Sequence, residues 1–407
     1  MADSAASTLE DTLSRSTAPG SNRVPGCVLA AVDRDAQHLF FETPGSTTLT
    51  SPPIPIDRAS TFWMASCGKL IGSIAALQCV ERGLIAPDDP VATILPELAR
   101  PSVFTHPTGA DLTTVPATQP ITLRHLLTHT SGLAYDFFEP KLAAWRASRD
   151  EAPLSMSGDV VRTHSVPLLF EPGKGFAYGG GIDWAGELVA RLNNTSLEAY
   201  LQEHVFQPLS MHATTFRLAA HPEIQARLYP LFVRHEETGA LTPSQIPWPT
   251  DPSADCAGAG LYSSVPDYLK LLRDIIREDP TVLKKETVEE YIFAPQFAPG
   301  SEPHSALAGA QLLISAMTGA SSRAAGTAAQ SVNWSFGGMF FNGNVEHIRA
   351  GTLSWGGLPN VTWSANRRLG VATMYATQLL PYNDPESAEL AREFQREVWR
   401  IVDERTV

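Results

Sequence analysis

Lysine is scarce in this 407-residue chain, with six residues in all, and cysteine scarcer still. Cys27, Cys67, Cys79 and Cys256 are scattered, without the paired spacing of a metal or redox site. They are expected to be reduced thiols of an intracellular, cytoplasmic protein. Met1–Ala5 has neither the basic nor the apolar region of a leader, and no apolar run is long enough to span a bilayer. Neither export nor a membrane partner is therefore expected. Basic residues number 30 against 43 acidic ones, a net charge of −13. That balance argues against sequence-independent nucleic-acid binding and against an anionic membrane surface. The sequence has no Gly-x-Ser-x-Gly elbow and no phosphate-binding glycine loop, so no nucleotide cofactor is implied. His125 and His129 have the spacing of a zinc pair, but residue 126 is Leu where a metalloprotease carries its glutamate. They read as structural histidines, and no metal is expected.

What is present describes a compact globular protein, not a disordered one. Hydrophobic residues make up 43% and charged ones 18%, which suits a large buried core. Strands are expected at Gly26–Val32 and Gln37–Glu42, joined by the Asp33-Arg34-Asp35 turn. Four prolines between residues 44 and 58 mark a loop. Phe62–Arg82 reads as one long apolar helix, with Gly83 as its stop. Residues 85–330 are mostly helical and loop-rich, including Asp183–Leu192, Leu197–Val205 and Pro266–Ile276, and 301–331 reads as a mobile loop. Strands return at Trp334–Phe341 and Val345–Gly351 around Asn342-Gly343-Asn344, then at Val361–Ala365 and Leu369–Ala376. Asp384 and Pro385 open a last helix with Leu390, Phe394, Val398 and Ile401 on one face. The expected fold is α/β (α+β): an antiparallel sheet built from both termini and flanked by helices, with a large, mostly helical inserted lobe. The lobes would be residues 1–60 with 330–407, and residues 61–329, the latter carrying the long Phe62–Arg82 helix at the interface.

Three segments carry chemistry. Of the six lysines only Lys69 has a serine three residues before it, Ser66. On a helix the two share a face and can hydrogen-bond. A serine nucleophile needs an adjacent base, and an amine buried among apolar neighbours becomes one as desolvation lowers its pKa. The same pattern also fits a lysine snorkelling along a helix surface. Tyr178 lies in the glycine-rich stretch Gly173–Gly181, where a tyrosine beside a lysine can exist as phenolate and pass protons as general base and acid, or can simply pack in the core and cap a backbone group. In Trp355-Gly356-Gly357 two glycines at a strand edge leave N–H groups open for an oxyanion, or form a β-bulge.

The order of these motifs resembles the serine β-lactamase and penicillin-binding superfamily. Ser66-x-x-Lys69 comes first, then Ile121-Thr122-Leu123-Arg124-His125-Leu126-Leu127-Thr128-His129-Thr130-Ser131-Gly132-Leu133. Phe170-Glu171-Pro172-Gly173 leads to Tyr178, and Ala257–Ser263 and Trp355-Gly356-Gly357 close the series. More narrowly it is similar to the class C-like esterases and transesterases, and to fungal acyltransferases of the lovastatin type. The resemblance implies Ser66 as nucleophile, Lys69 and Tyr178 sharing the proton, and the backbone N–H groups of Ser66 and Leu358 as the oxyanion hole. Trp355, Gly356, Gly357 and Gly180 would line the substrate site. Gly180 stands where relatives often carry Asn, and Trp355-Gly356-Gly357 replaces a β-lactam-recognising Lys-Thr-Gly, so a roomier pocket and a non-β-lactam substrate are expected. The implied function is a serine acyltransferase in secondary metabolism. It would move an acyl group from a small-molecule ester or thioester, or from an acyl-carrier protein, to an alcohol. A carboxylesterase is the alternative within this chemistry, and a non-acylating binding protein or cyclase the alternative outside it.

Overall fold

Alternation in the first strand sets the layering. Val28, Ala30 and Val32 face one apolar core while Cys27, Leu29 and Ala31 face another, so this strand must lie inside a sheet covered on both sides. The computed structural model describes residues 9–106, 108–319 and 328–406. Its main sheet has strands β1 (Val28–Asp33), β2 (His38–Glu42), β3 (Val332–Trp334), β4 (Met339–Phe341), β5 (Thr352–Gly357), β6 (Val361–Asn366) and β7 (Val371–Ala376). They run antiparallel in the order β2-β1-β7-β6-β5-β4-β3. The sheet is therefore assembled from the two ends of the chain, as expected.

Helices α1 (Leu9–Ser16), α2 (Gly68–Glu81), α3 (Gly181–Asn193), α4 (Val265–Ile276) and α5 (Pro385–Thr406) flank this sheet or pack on one another beside it. Leu13 of α1 and Leu390, Phe394 and Val398 of α5 cover one face of the sheet. The start of α5 is fixed by Asp384, whose carboxylate accepts from the Ser387 N–H at 3.1 Å. On the other face α4 packs against β1, β6 and β7, and α2 packs on α3. The segment between the sheet's two halves holds most of the helices and two small sheets, Ser102–Phe104 with Thr114–Pro116 and Thr61–Ala65 with Leu261–Ser264; a third, Leu231–Arg234 with Leu241–Ser244, is joined by Leu379–Leu380 from beyond β7. On this placement we propose the lobe boundaries near residues 60 and 330. No helix among the described residues is long and apolar enough to cross a membrane.

Three local expectations are corrected. Phe62–Ala65 is a strand paired with Leu261–Ser264, and the helix begins only at Gly68. A short apolar run fits a buried strand as well as a buried helix, and the partner strand decides. Trp334–Phe341 is two strands folded back at Ser335–Gly338, where Gly338 has φ +152°, while Val345 and Ile348 form only an isolated bridge. Within 301–331, Glu302–Gly309 and Gln311–Thr318 are helices, and 320–327 lies outside the described residues.

Candidate active site

The strand Thr61–Ala65 delivers the chain to Ser66, and α2 carries it away. Ala65, at φ +44°, turns the backbone between them. For a residue with a Cβ that conformation costs about 1–3 kcal/mol and persists only where the surroundings enforce it. The Lys69 N–H donates to Ser66 O at 3.2 Å, which starts the helix and holds the two side chains on one side. Ser66 is half-buried, while Lys69 is 2% exposed. Lys69 Nζ lies 3.2 Å from Ser66 Oγ, 2.9 Å from Tyr135 Oη and 2.6 Å from Gly258 O. Burial pushes its pKa down to about 8, against the charge of Asp183 that favours the ammonium. This lysine does not snorkel.

Tyr178 sits across the amine, with Lys69 Nζ 4.7 Å from its ring centroid. The indole N–H of Trp355 donates to its hydroxyl at 3.1 Å. Burial raises the Tyr178 pKa, with hydrogen bonds to Ser66 and Trp355 pulling the other way. The group is thus a neutral phenol, a proton donor rather than a standing phenolate. His129 packs on its ring at 4.8 Å and accepts the Gly179 N–H at 3.4 Å. Burial, then the Lys69 charge, holds the His129 pKa well below the usual range. His125 lies apart, completing a capping box with Thr122 at the start of Leu123–Leu127. Both histidines have structural positions.

β5 reaches the turn before Ser66 through its glycines. A Cβ on Gly357 would lie 2.3 Å from Met64 O and 3.5 Å from Ala65 Cβ, so only a bare residue lets the strand end lie against the turn. Leu358 follows immediately. Trp355 is 4% exposed and packs on Trp334 and Tyr178, so it backs the phenol rather than lining an open pocket. Gly180 differs from expectation. A side chain there would meet the His164 ring at 2.3 Å, so that imidazole fills the space expected to be open.

Tyr135, Asp183 and His164 escaped the sequence reading. They come from separate segments, and only the fold gathers them behind Lys69. Asp183 alone left a signal: an acid between Ile182 and Trp184, on the buried face of α3.

Comparisons with known proteins place the whole chain in a family. The Beta-lactamase family model matches residues 9–396. An acyltransferase from Penicillium decumbens, calJ, is 35% identical over 89% of this chain and 86% of its own. A lovastatin esterase from Penicillium rubens is 31% identical over 93% of this chain and 95% of its own. Among solved structures, a mutant of simvastatin synthase from Aspergillus terreus superposes with a TM-score of 0.82 at 29% identity, over 97% of this chain and 95% of that one. A family match over nearly the whole length leaves one conclusion: this chain belongs to the β-lactamase family.

Proposed function

We propose that the protein is a serine acyltransferase that moves an acyl group from an ester or thioester to an alcohol through an acyl-enzyme. The observation that carries this reading is the buried amine of Lys69, 3.2 Å from Ser66 Oγ, with the Tyr178 phenol beside both. Ser66 Oγ bonds to the donor's carbonyl carbon as its proton passes to Lys69. The Ser66 and Leu358 N–H groups face the negative oxygen of the tetrahedral intermediate. As the intermediate collapses, the carbon–leaving-group bond breaks and Tyr178 protonates the departing alcohol or thiol, regaining its proton from Lys69. The acceptor alcohol runs the same steps in reverse and leaves Ser66 free. A small-molecule donor and acceptor suffice; a donor presented as a thioester on an acyl-carrier protein enters by the same chemistry. Participation in secondary metabolism follows the relatives named as an acyltransferase and a lovastatin esterase.

Hydrolysis is the second reading, favoured by the half-buried Ser66, which water can approach as an alcohol does. Intact-mass spectrometry after incubation with p-nitrophenyl butyrate tests the shared step. The expected result is one acyl group on the native protein and none on Ser66→Ala, which remains folded. Stoichiometric acylation of the Ala variant would move the nucleophile elsewhere. Adding an alcohol acceptor then separates ester product from free acid.

A further inference from the structure

Three partners crowd the Lys69 amine, and counting protons gives each contact a direction. A neutral amine has two protons and one lone pair. Gly258 O, at 2.6 Å, can only accept. Tyr135 Oη, at 2.9 Å, has its own proton committed elsewhere, to Asp183 Oδ2 at 3.2 Å. Asp183 is 1% exposed. Burial opposes its ionisation, but His164, Lys69 and the Gly258 N–H together hold its carboxyl below the usual range. A carboxylate only accepts, so Tyr135 must donate to it and accept from Lys69. Both amine protons are then used. The lone pair is left for the third partner, Ser66.

We propose that Tyr135, held by Asp183, is a positioning residue that turns the lone pair of the Lys69 amine onto Ser66. The inference rests on the reading of Ser66 as nucleophile and Lys69 as its base. The surroundings are built for the arrangement. Asp183 Oδ1 accepts from the Gly258 N–H at 2.8 Å, and a Cβ on Gly258 would lie 2.4 Å from Asp183 Oδ2 and 2.9 Å from Tyr135 Oη. His164 Nε2 stands 3.5 Å from that same oxygen, in the space that Gly180 leaves. The titratable groups around the amine are Asp183 from α3, Tyr135 and His129 from the segment after Leu127, Tyr178 from its loop, and Cys67 from the turn before α2. The charge of Asp183 leads the forces opposing desolvation of the amine.

Asp183→Asn keeps the shape but reverses one bond. Its amide nitrogen donates to Tyr135, whose proton then turns toward the amine and competes with Ser66 for the lone pair. The substitution also removes the charge that keeps the amine basic. Two changes are expected together in the pH profile of acylation by p-nitrophenyl butyrate. The high-pH plateau falls about tenfold or more, and the midpoint of the rise moves lower by about one pH unit. Tyr135→Phe, which is nearly isosteric, removes the acceptor of the charged amine and should move both quantities in the same direction. Thermal unfolding of each variant is recorded alongside, because a merely structural role would lower the folded fraction and leave the midpoint in place. Unchanged plateau and midpoint in both variants, with Ser66 still acylated, would overturn the positioning role and leave the nucleophile standing. Absence of acylation at Ser66 in the native protein would overturn both.

Discussion

Two lysines are buried in this protein, and their surroundings are opposites. Lys141 Nζ is ringed by backbone carbonyls, Thr108 O and Gly109 O at 3.3 Å and Asp111 O at 2.7 Å, above the Phe104 ring. Carbonyls only accept, so that ring of acceptors suits an ammonium with all three protons in place. Lys69 has one carbonyl and two hydroxyls, those of Ser66 and Tyr135. A hydroxyl can return a proton, so this second amine sits where a proton can arrive and leave. Burial alone does not make a base; the partners decide.

The contrast is broken most sharply by the same substitution at both positions. Lys69→Met should lower the acylation rate by ~10²–10⁴-fold while the protein remains folded. Lys141→Met should leave the rate per folded molecule unchanged and lower unfolding stability by about 1–3 kcal/mol, the scale of lost hydrogen bonds to a charge. Burst kinetics with p-nitrophenyl butyrate and chemical denaturation read the two effects separately. Equal loss of rate in both variants would erase the distinction.

A smaller effect is expected on the aromatic side of the cleft. Tyr178→Phe keeps the packing against His129 and Trp355 but removes the proton offered to the leaving group. Turnover of an ester with a poor leaving group should fall ~10²-fold. An activated p-nitrophenyl ester, whose leaving group needs no proton, should be slowed less. Equal slowing of the two substrates would take Tyr178 out of the proton path.

Much of this arrangement was legible before the fold was known, for local reasons. Ser66 and Lys69 are three residues apart, so one turn of backbone sets their contact. The sheet could be read because Val28–Val32 and Val371–Ala376 are runs bounded by turn residues. The failures share a cause as well. Phe62–Ala65 became a strand because Leu261–Ser264, nearly 200 residues on, supplies its partner. The Asn342-Gly343-Asn344 signal lost to the Gly337-Gly338 pair just before it, where the chain folds β3 onto β4. Gly180 promised room that His164 fills; the packing of α2 on α3 brings Asp183 near Lys69, and the segment after Leu127 sets Tyr135 between them. No residue spacing carries that information.

The central claim is that Lys69 acts as a neutral base, and the rate of acyl-enzyme formation against pH tests it most directly. Below about pH 8 the amine is protonated and has no lone pair for Ser66; above it the lone pair is free. Tyr178 is a neutral phenol with its pKa raised, so its ionisation should not cut the rate off on the alkaline side. The account predicts a rate that climbs through about pH 8 to a plateau still held at pH 10. A profile that is flat from pH 6 upward, or that falls as the pH rises through 8, would contradict it.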